Sequence, residues 1–110
     1  MAGKYVLFKS TNGQFMFNLL AGNNEKILTS EMYRSKEGAG GGIASVRINA
    51  PIDGRYNRKT ATNGKPYFVL KAGNGEPIGT SELYSSVAAM ETGISAVKAN
   101  GPTAPVDDRT

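Results

Sequence analysis

A chain of 110 residues with 39% hydrophobic and 20% charged side chains can bury a joint core, and it contains no apolar run approaching the roughly 20 residues of a bilayer-spanning helix. It has neither cysteine nor histidine, which excludes disulfides, thiol redox chemistry and cysteine-ligated zinc, and removes the usual general base and imidazole metal ligand. Thirteen Lys and Arg against nine Asp and Glu leave a net charge of +4, a mild bias towards anionic partners.

The opening MAGKYVLFKS has no apolar stretch of signal-peptide length, so the cytoplasm is the expected compartment. Asn12-Gly13 is a strong hairpin signal. A two-residue type I′ turn there puts Ser10 opposite Phe15, Phe8 opposite Phe17 and Val6 opposite Leu19. Val6, Phe8, Phe15, Phe17 and Leu19 then share one face, as a half-buried antiparallel pair requires. A turn at Gly22-Asn23-Asn24 and a short strand through Ile27 complete a three-stranded meander. The helix that follows is capped by Ser35, carries Ala39, Ile43, Val46 and Ala50 as its apolar stripe, and stops at Asn49-Ala50-Pro51. Gly38, Gly40, Gly41 and Gly42 each cost this helix about 1 kcal/mol of intrinsic propensity relative to alanine, so its start should fray.

From Asn63 the pattern returns. At a constant offset of 51 residues, Asn12 to Pro51 lies on Asn63 to Pro102 without a gap, with 19 of 40 positions identical. A unit of this size buries too little surface to stand comfortably alone, so the two units, about 4–53 and 55–104, are expected to form one domain with pseudo-two-fold symmetry. The second unit repeats the turns as Asn63-Gly64 and Gly73-Asn74-Gly75 and the third strand through Ile78. Its helix is capped by Ser85 or Ser86, striped by Val87, Met90, Ile94 and Val97, and ended by Asn100-Gly101-Pro102. The strand RYNRKTA between the units fits poorly, because the same register sets Lys59 opposite Phe68 and Asn57 opposite Leu70. It should lie at a sheet edge or pair elsewhere. Gly42 and Gly93, equivalent in the two helices, suit close approach of helix to sheet. The residues after Gly101 form a last short strand or a tail.

The doubled motifs Asn-Gly, Phe-x-Leu-x-Ala-Gly-Asn, Ile-x-Thr-Ser-Glu-x-Tyr and Gly-Ile-x-x-Val-x-x-Asn resemble the YegP-like family of small, mostly bacterial proteins over essentially the whole chain. The resemblance implies an α+β fold in which tandem β-β-β-α-β repeats form one mainly antiparallel sheet, with two helices packed on it and the final strands of the units exchanged. It supplies no catalytic residues, since the family carries no assigned activity. The run Gly38 to Gly42 departs from the family's usual helix start.

Two residue groups are candidates for function. Thr29, Ser30, Glu31 and Tyr33, repeated as Thr80, Ser81, Glu82 and Tyr84, set hydroxyls beside a carboxylate and would bind a polar ligand or activate a nucleophile. The favoured reading is structural: Ser and Thr bond backbone in the strand-to-helix connection, while Tyr packs its ring and keeps its hydroxyl wet. Arg55, Tyr56, Arg58 and Lys59, with Lys65, Tyr67 and Lys71 nearby, would neutralise phosphates and stack bases on nucleic acid. There is no RNP-type motif, and a solvated edge strand guarded by basic residues is the favoured reading. The GAGGG run lacks Walker spacing, and Glu25, Glu76, Asp107 and Asp108 read as solvated turn or terminal charges. No catalytic residue, metal or cofactor is assigned. The expected protein is a monomeric, non-enzymatic interaction module with no membrane association and an unknown partner. The alternatives are weak nucleic-acid binding through the basic strand, and a small-ligand enzyme built on the Thr-Ser-Glu clusters.

Overall fold

The computed structural model describes residues 3–110. Its elements are β1 (Lys4–Lys9), β2 (Phe15–Leu20), β3 (Lys26–Ser30), α1 (Lys36–Asn49), a 3-10 turn (Asp53–Arg55), β4 (Tyr56–Thr60), β5 (Pro66–Lys71), β6 (Pro77–Thr80), α2 (Val87–Asn100) and β7 (Val106–Asp108). The strands form one sheet in the order β4-β5-β6-β3-β2-β1-β7, so the α+β architecture of two like units in a shared sheet holds. Antiparallel pairing of Thr29 with Thr80 and of Ser30 with Gly79 joins the units across β3 and β6.

Four hairpins share one turn geometry, which matches the turns expected at Gly22-Asn23-Asn24 and Gly73-Asn74-Gly75 and differs from the two-residue turns expected at Asn12-Gly13 and Asn63-Gly64. In the first, Ser10 N–H donates to Gln14 O and Gly13 N–H donates to Ser10 O, which leaves a three-residue loop closed by a residue at positive φ. Gly13, Asn24, Gly64 and Gly75 occupy that left-handed position. The residue before each, Asn12, Asn23, Asn63 and Asn74, accepts a backbone N–H on its side-chain oxygen at 3.0 to 3.1 Å. The extra loop residue moves the strand pairing by one. Leu7, not Phe8, lies opposite Phe17, and Tyr5 lies opposite Leu19. A one-residue slip exchanges the faces of a strand, so Tyr5 and Leu7 enter the core in place of the expected Val6 and Phe8. The same correction resolves RYNRKTA. Arg58 sits opposite Phe68 and Tyr56 opposite Leu70 on β4, which takes the edge position of the two placements left open, with the Tyr56 ring in the core.

Both helices cover one face of the sheet. Ser35 and Ser86 cap them, accepting from Gly38 N–H and Ala89 N–H at 2.9 and 3.0 Å. Ala39, Ile43 and Val46 of α1, and Met90, Ile94 and Val97 of α2, are buried as expected; Val87 points away and is 63% exposed. Within each unit three aromatic rings form a chain. Tyr5 meets Phe17 edge-on at 5.8 Å and Phe17 stacks on Tyr33 at 6.3 Å, while Tyr56, Phe68 and Tyr84 repeat the arrangement at 5.6 and 6.3 Å. Strand exchange occurs at one end only. β7, from the end of the second unit, adds in parallel to β1 of the first, whereas the equivalent residues of the first unit are the 3-10 turn and the start of β4. Val6, Phe8, Met16, Asn18, Tyr67 and Val69 alternate away from the helices onto a face that no element among the described residues covers.

Candidate functional site

Two grooves open where each helix meets the hairpin of the other unit. The first, of about 540 Å³, runs between α2 and the β2–β3 turn, with Asn23, Glu25, Ile27, Tyr84, Thr92 and Gly93 among its walls. The second, of about 370 Å³, runs between α1 and the β5–β6 turn, with Tyr33, Gly41, Gly42, Asn74, Glu76 and Ile78 in the corresponding places. Every residue lining the first groove has its repeat counterpart in the second. The pseudo-two-fold symmetry therefore yields two copies of one cleft, each shared between the units.

Gly42 and Gly93 form part of the groove floors, and their role is more specific than close approach of helix to sheet. A Cβ at Gly42 would lie 2.7 Å from Tyr33 Cζ, and one at Gly93 would lie 2.6 Å from Tyr84 Cζ. The hydroxyl end of each tyrosine ring sits against the bare helix backbone, and the ring stacks on Phe17 or Phe68. The connection is pinned at its start as well. Phe15 and Tyr33 exchange two backbone hydrogen bonds of 2.7 Å, and Tyr84 N–H donates to Pro66 O at 2.9 Å. Burial raises the pKa of both hydroxyls, and nearby carboxylates raise it further: Glu31 acts on Tyr33, and Glu25 and Glu82 act on Tyr84.

The fold recurs in known proteins. A family model described as a domain of unknown function (DUF1508) matches residues 10–57 and again residues 61–108. The chain belongs to this family. The UPF0339 protein YegP of Escherichia coli (strain K12) is 56% identical over 110 residues, with all of both chains covered. A UPF0339 protein of Shewanella oneidensis is 54% identical, again over the whole of both chains. Solution NMR structures of two UPF0339 proteins superpose closely at 55% identity. That of E. coli YegP has a TM-score of 0.95 over 100% of this chain and 95% of its own, and that of the S. oneidensis protein has 0.92 over 98% and 92%. None of these names carries an activity, so the DUF1508 chain must be read from its geometry.

The Thr-Ser-Glu-Tyr groups are dispersed by that geometry. Thr29 and Thr80 face each other on the uncovered side of the sheet. Ser30 and Ser81 turn inwards, where Ser30 Oγ accepts Phe17 N–H at 2.8 Å and donates to Glu31 O at 2.7 Å; Ser81 makes the same pair of bonds with Phe68 and Glu82 at 3.0 and 2.8 Å. Both serine hydroxyls are thus engaged by backbone. Glu31 and Tyr33 line the second groove and Tyr84 the first, while Glu82 stays exposed and acts on Tyr84 only through its charge. Asn23, Glu25, Asn74 and Glu76 were legible only as turn residues. Their recurrence in both units was the one available signal, and the hairpins of this chain place them at the groove rims.

The basic strand is equally committed. Arg58 bonds Glu91 through Nε at 2.6 Å and Asp53 at 2.9 Å, and Lys98 reaches the same Asp53 oxygen at 2.8 Å. These partners raise the Arg58 pKa and pull Asp53 down to about 2. Arg55 Nε donates to Asn49 Oδ1 at 2.9 Å, and the buried Tyr56 hydroxyl donates to Ala50 O at 2.7 Å. Lys59, opposite Tyr67, alone among the four candidates faces the uncovered side. The structure therefore does not gather Arg55, Tyr56, Arg58 and Lys59 into one surface. Among the described residues no group of acidic side chains has metal-site geometry, and no helix is long and apolar enough to cross a membrane.

Proposed function

We propose that this DUF1508 protein is a non-enzymatic binding module that receives positively charged groups on apolar stems, such as lysine or arginine side chains of a partner, in its two grooves. The observation that carries this reading is the duplicated cleft itself: an apolar wall, a tyrosine hydroxyl, an asparagine and a glutamate at equivalent places in both units. Glu25, Glu31, Glu76 and Glu82 make no ion pair among the described residues, although the chain as a whole is basic. Unneutralised carboxylates beside a half-buried hydroxyl give each groove a negative field that a cation relieves. With the serines held by backbone and no histidine or cysteine in the chain, the clefts offer recognition and no nucleophile–base pair. Two units already complete the pseudo-two-fold arrangement, and the module acts as a monomer. Titration of labelled protein with N-acetyl-lysine amide, followed by amide chemical shifts, tests the reading. Shifts should appear at Asn23, Tyr84 and Gly93 and at Tyr33, Gly42 and Asn74, and should vanish in Glu25→Gln/Glu76→Gln. Equal shifts with a neutral isostere would overturn it.

A further inference from the structure

A surplus of basic side chains gathers on one face of the sheet. Strand register places Lys4, Lys26, Lys59 and Lys71 on the uncovered face of the sheet, opposite Leu20, Leu20, Tyr67 and Pro77 respectively. Asp107 shares that face opposite Val6, with Arg109 folded back onto it at 2.9 Å. Five basic side chains against one carboxylate leave a surplus of four, which is the whole +4 of the protein. The helices, turns and remaining strand positions carry eight basic and eight acidic side chains and are neutral.

Between those cations the face carries apolar side chains on either side of a polar middle formed by Asn18, Thr29 and Thr80. Phe8, Met16, Leu20, Tyr67 and Val69 are half-buried, and they lie outside the core that the helices cover. Tyr67 lies directly across from Lys59 and carries Lys71 four residues further along the same side of its strand. We propose that this face binds single-stranded nucleic acid. The lysines neutralise phosphates, and Phe8 and Tyr67 supply surfaces on which unpaired bases stack. Each simpler occupant meets only half of the surface. A free phosphate leaves the apolar side chains unused, a duplex hides its base faces, and a second copy of the chain sets a surplus of four positive charges against the same surplus. A single strand presents negative charge and flat apolar rings together, in alternation. The surface is separate from the basic strand side chains Arg55 and Arg58, which are turned to the helix side and engaged by Asn49, Asp53 and Glu91, and none of its lysines or rings lines either groove.

The test is fluorescence anisotropy of a labelled dT 12-mer at low and moderate salt, with amide shifts mapped on the full chain. Binding should weaken steeply with salt and should shift Val6, Phe8, Asn18, Tyr67 and Val69. Lys59→Ala/Lys71→Ala, which removes two exposed or half-exposed charges from a strand surface, should lower affinity about tenfold and reduce the log–log salt slope by about 0.7 per lysine. Tyr67→Leu, which keeps the bulk on the sheet, should also weaken binding while leaving the salt slope unchanged. The proposal is overturned by any of four results: no binding at low salt, shifts confined to the groove residues, equal affinity for a duplex, or equal affinity for a poly-glutamate peptide of matched charge. The groove residues and sheet residues report separately, so failure here leaves the cation-binding reading to its own titration.

Discussion

A single methyl group distinguishes the glycines that the fold requires from those it merely tolerates. At Gly42 and Gly93 a Cβ would press on the hydroxyl end of a tyrosine ring that stacks on a phenylalanine, so the ring would have to shift. Gly42→Ala and Gly93→Ala should each destabilise the protein by about 1–3 kcal/mol in urea melts followed by circular dichroism. At Gly40 and Gly41 a Cβ would meet nothing within 4 Å, so Gly40→Ala and Gly41→Ala should each stabilise by about 0.5–1 kcal/mol. Similar effects at all four sites would mean the ring does not lie where it is placed. The sequence made Gly42 and Gly93 visible as shared positions, but what touches them depends on how the segment from Glu31 to Arg34 folds back, which no periodicity encodes. Tyrosine burial gives a second test. The Tyr5 hydroxyl donates to Gly101 O at 2.6 Å, and burial pushes its pKa up to about 12; Tyr56, bonded to Ala50 O, is raised further. A folded-state pKa above the unfolded value means the stabilisation is complete below about pH 10 and is lost as pH rises from there through the folded values. Urea midpoints should be level from pH 8 to 9.5 and fall by pH 11. In Tyr5→Phe the fall should be shallower, from a baseline about 1 kcal/mol lower.

At the level of elements, turn chemistry was clear and turn length was not. Asn-Gly announced a hairpin correctly at residues 12–13 and 63–64, yet the same dipeptide serves a two-residue loop or the last two places of a three-residue loop. Hydrophobicity could not arbitrate, because β1 reads Tyr-Val-Leu-Phe and either parity offers an apolar face. The second unit held the answer. The three-residue loop puts Tyr56 and not Asn57 opposite Leu70, the pairing that also places Tyr5 in the core. The helices were more legible, since their caps, stripes and stops follow from local spacing. They should differ in dynamics despite equal length, because the first turns of α1 contain Gly38, Gly40 and Gly41 where α2 has Ala89, Glu91 and Thr92. Amide hydrogen exchange should be faster for Gly38 to Gly41 than for Ala89 to Thr92. Matching protection would show that tertiary contacts, and not glycine propensity, control opening of this helix.

The whole molecule depends on each unit finishing the other. The Tyr5 hydroxyl of the first unit satisfies a carbonyl at the end of α2, Arg47 of α1 donates to Ala104 O at 2.8 Å, and Asn100 Oδ1 accepts Gly3 N–H at 2.9 Å. β7 closes the free edge of β1 from the far end of the chain, where Asp108 meets Lys36 of α1. The grooves obey the same rule, each taking its tyrosine from one unit and its glutamate turn from the other. That arrangement was invisible in the repeat alone, because two copies of a sequence do not say whether a site lies within a copy or between copies. It carries a direct consequence for stability. A half chain of about 55 residues would expose the β3 or β6 edge, the helix-facing core of the missing half, and several carbonyls now bonded across the units, at a size where burial barely offsets chain entropy. Fragments 1–53 and 54–110 should therefore each give a coil-like far-ultraviolet spectrum and no cooperative melt. An equimolar mixture should regain helix signal, with a midpoint that rises with concentration as expected for association. A cooperative transition in either fragment alone would place a complete core inside one unit. It would also remove the basis for a groove shared between two.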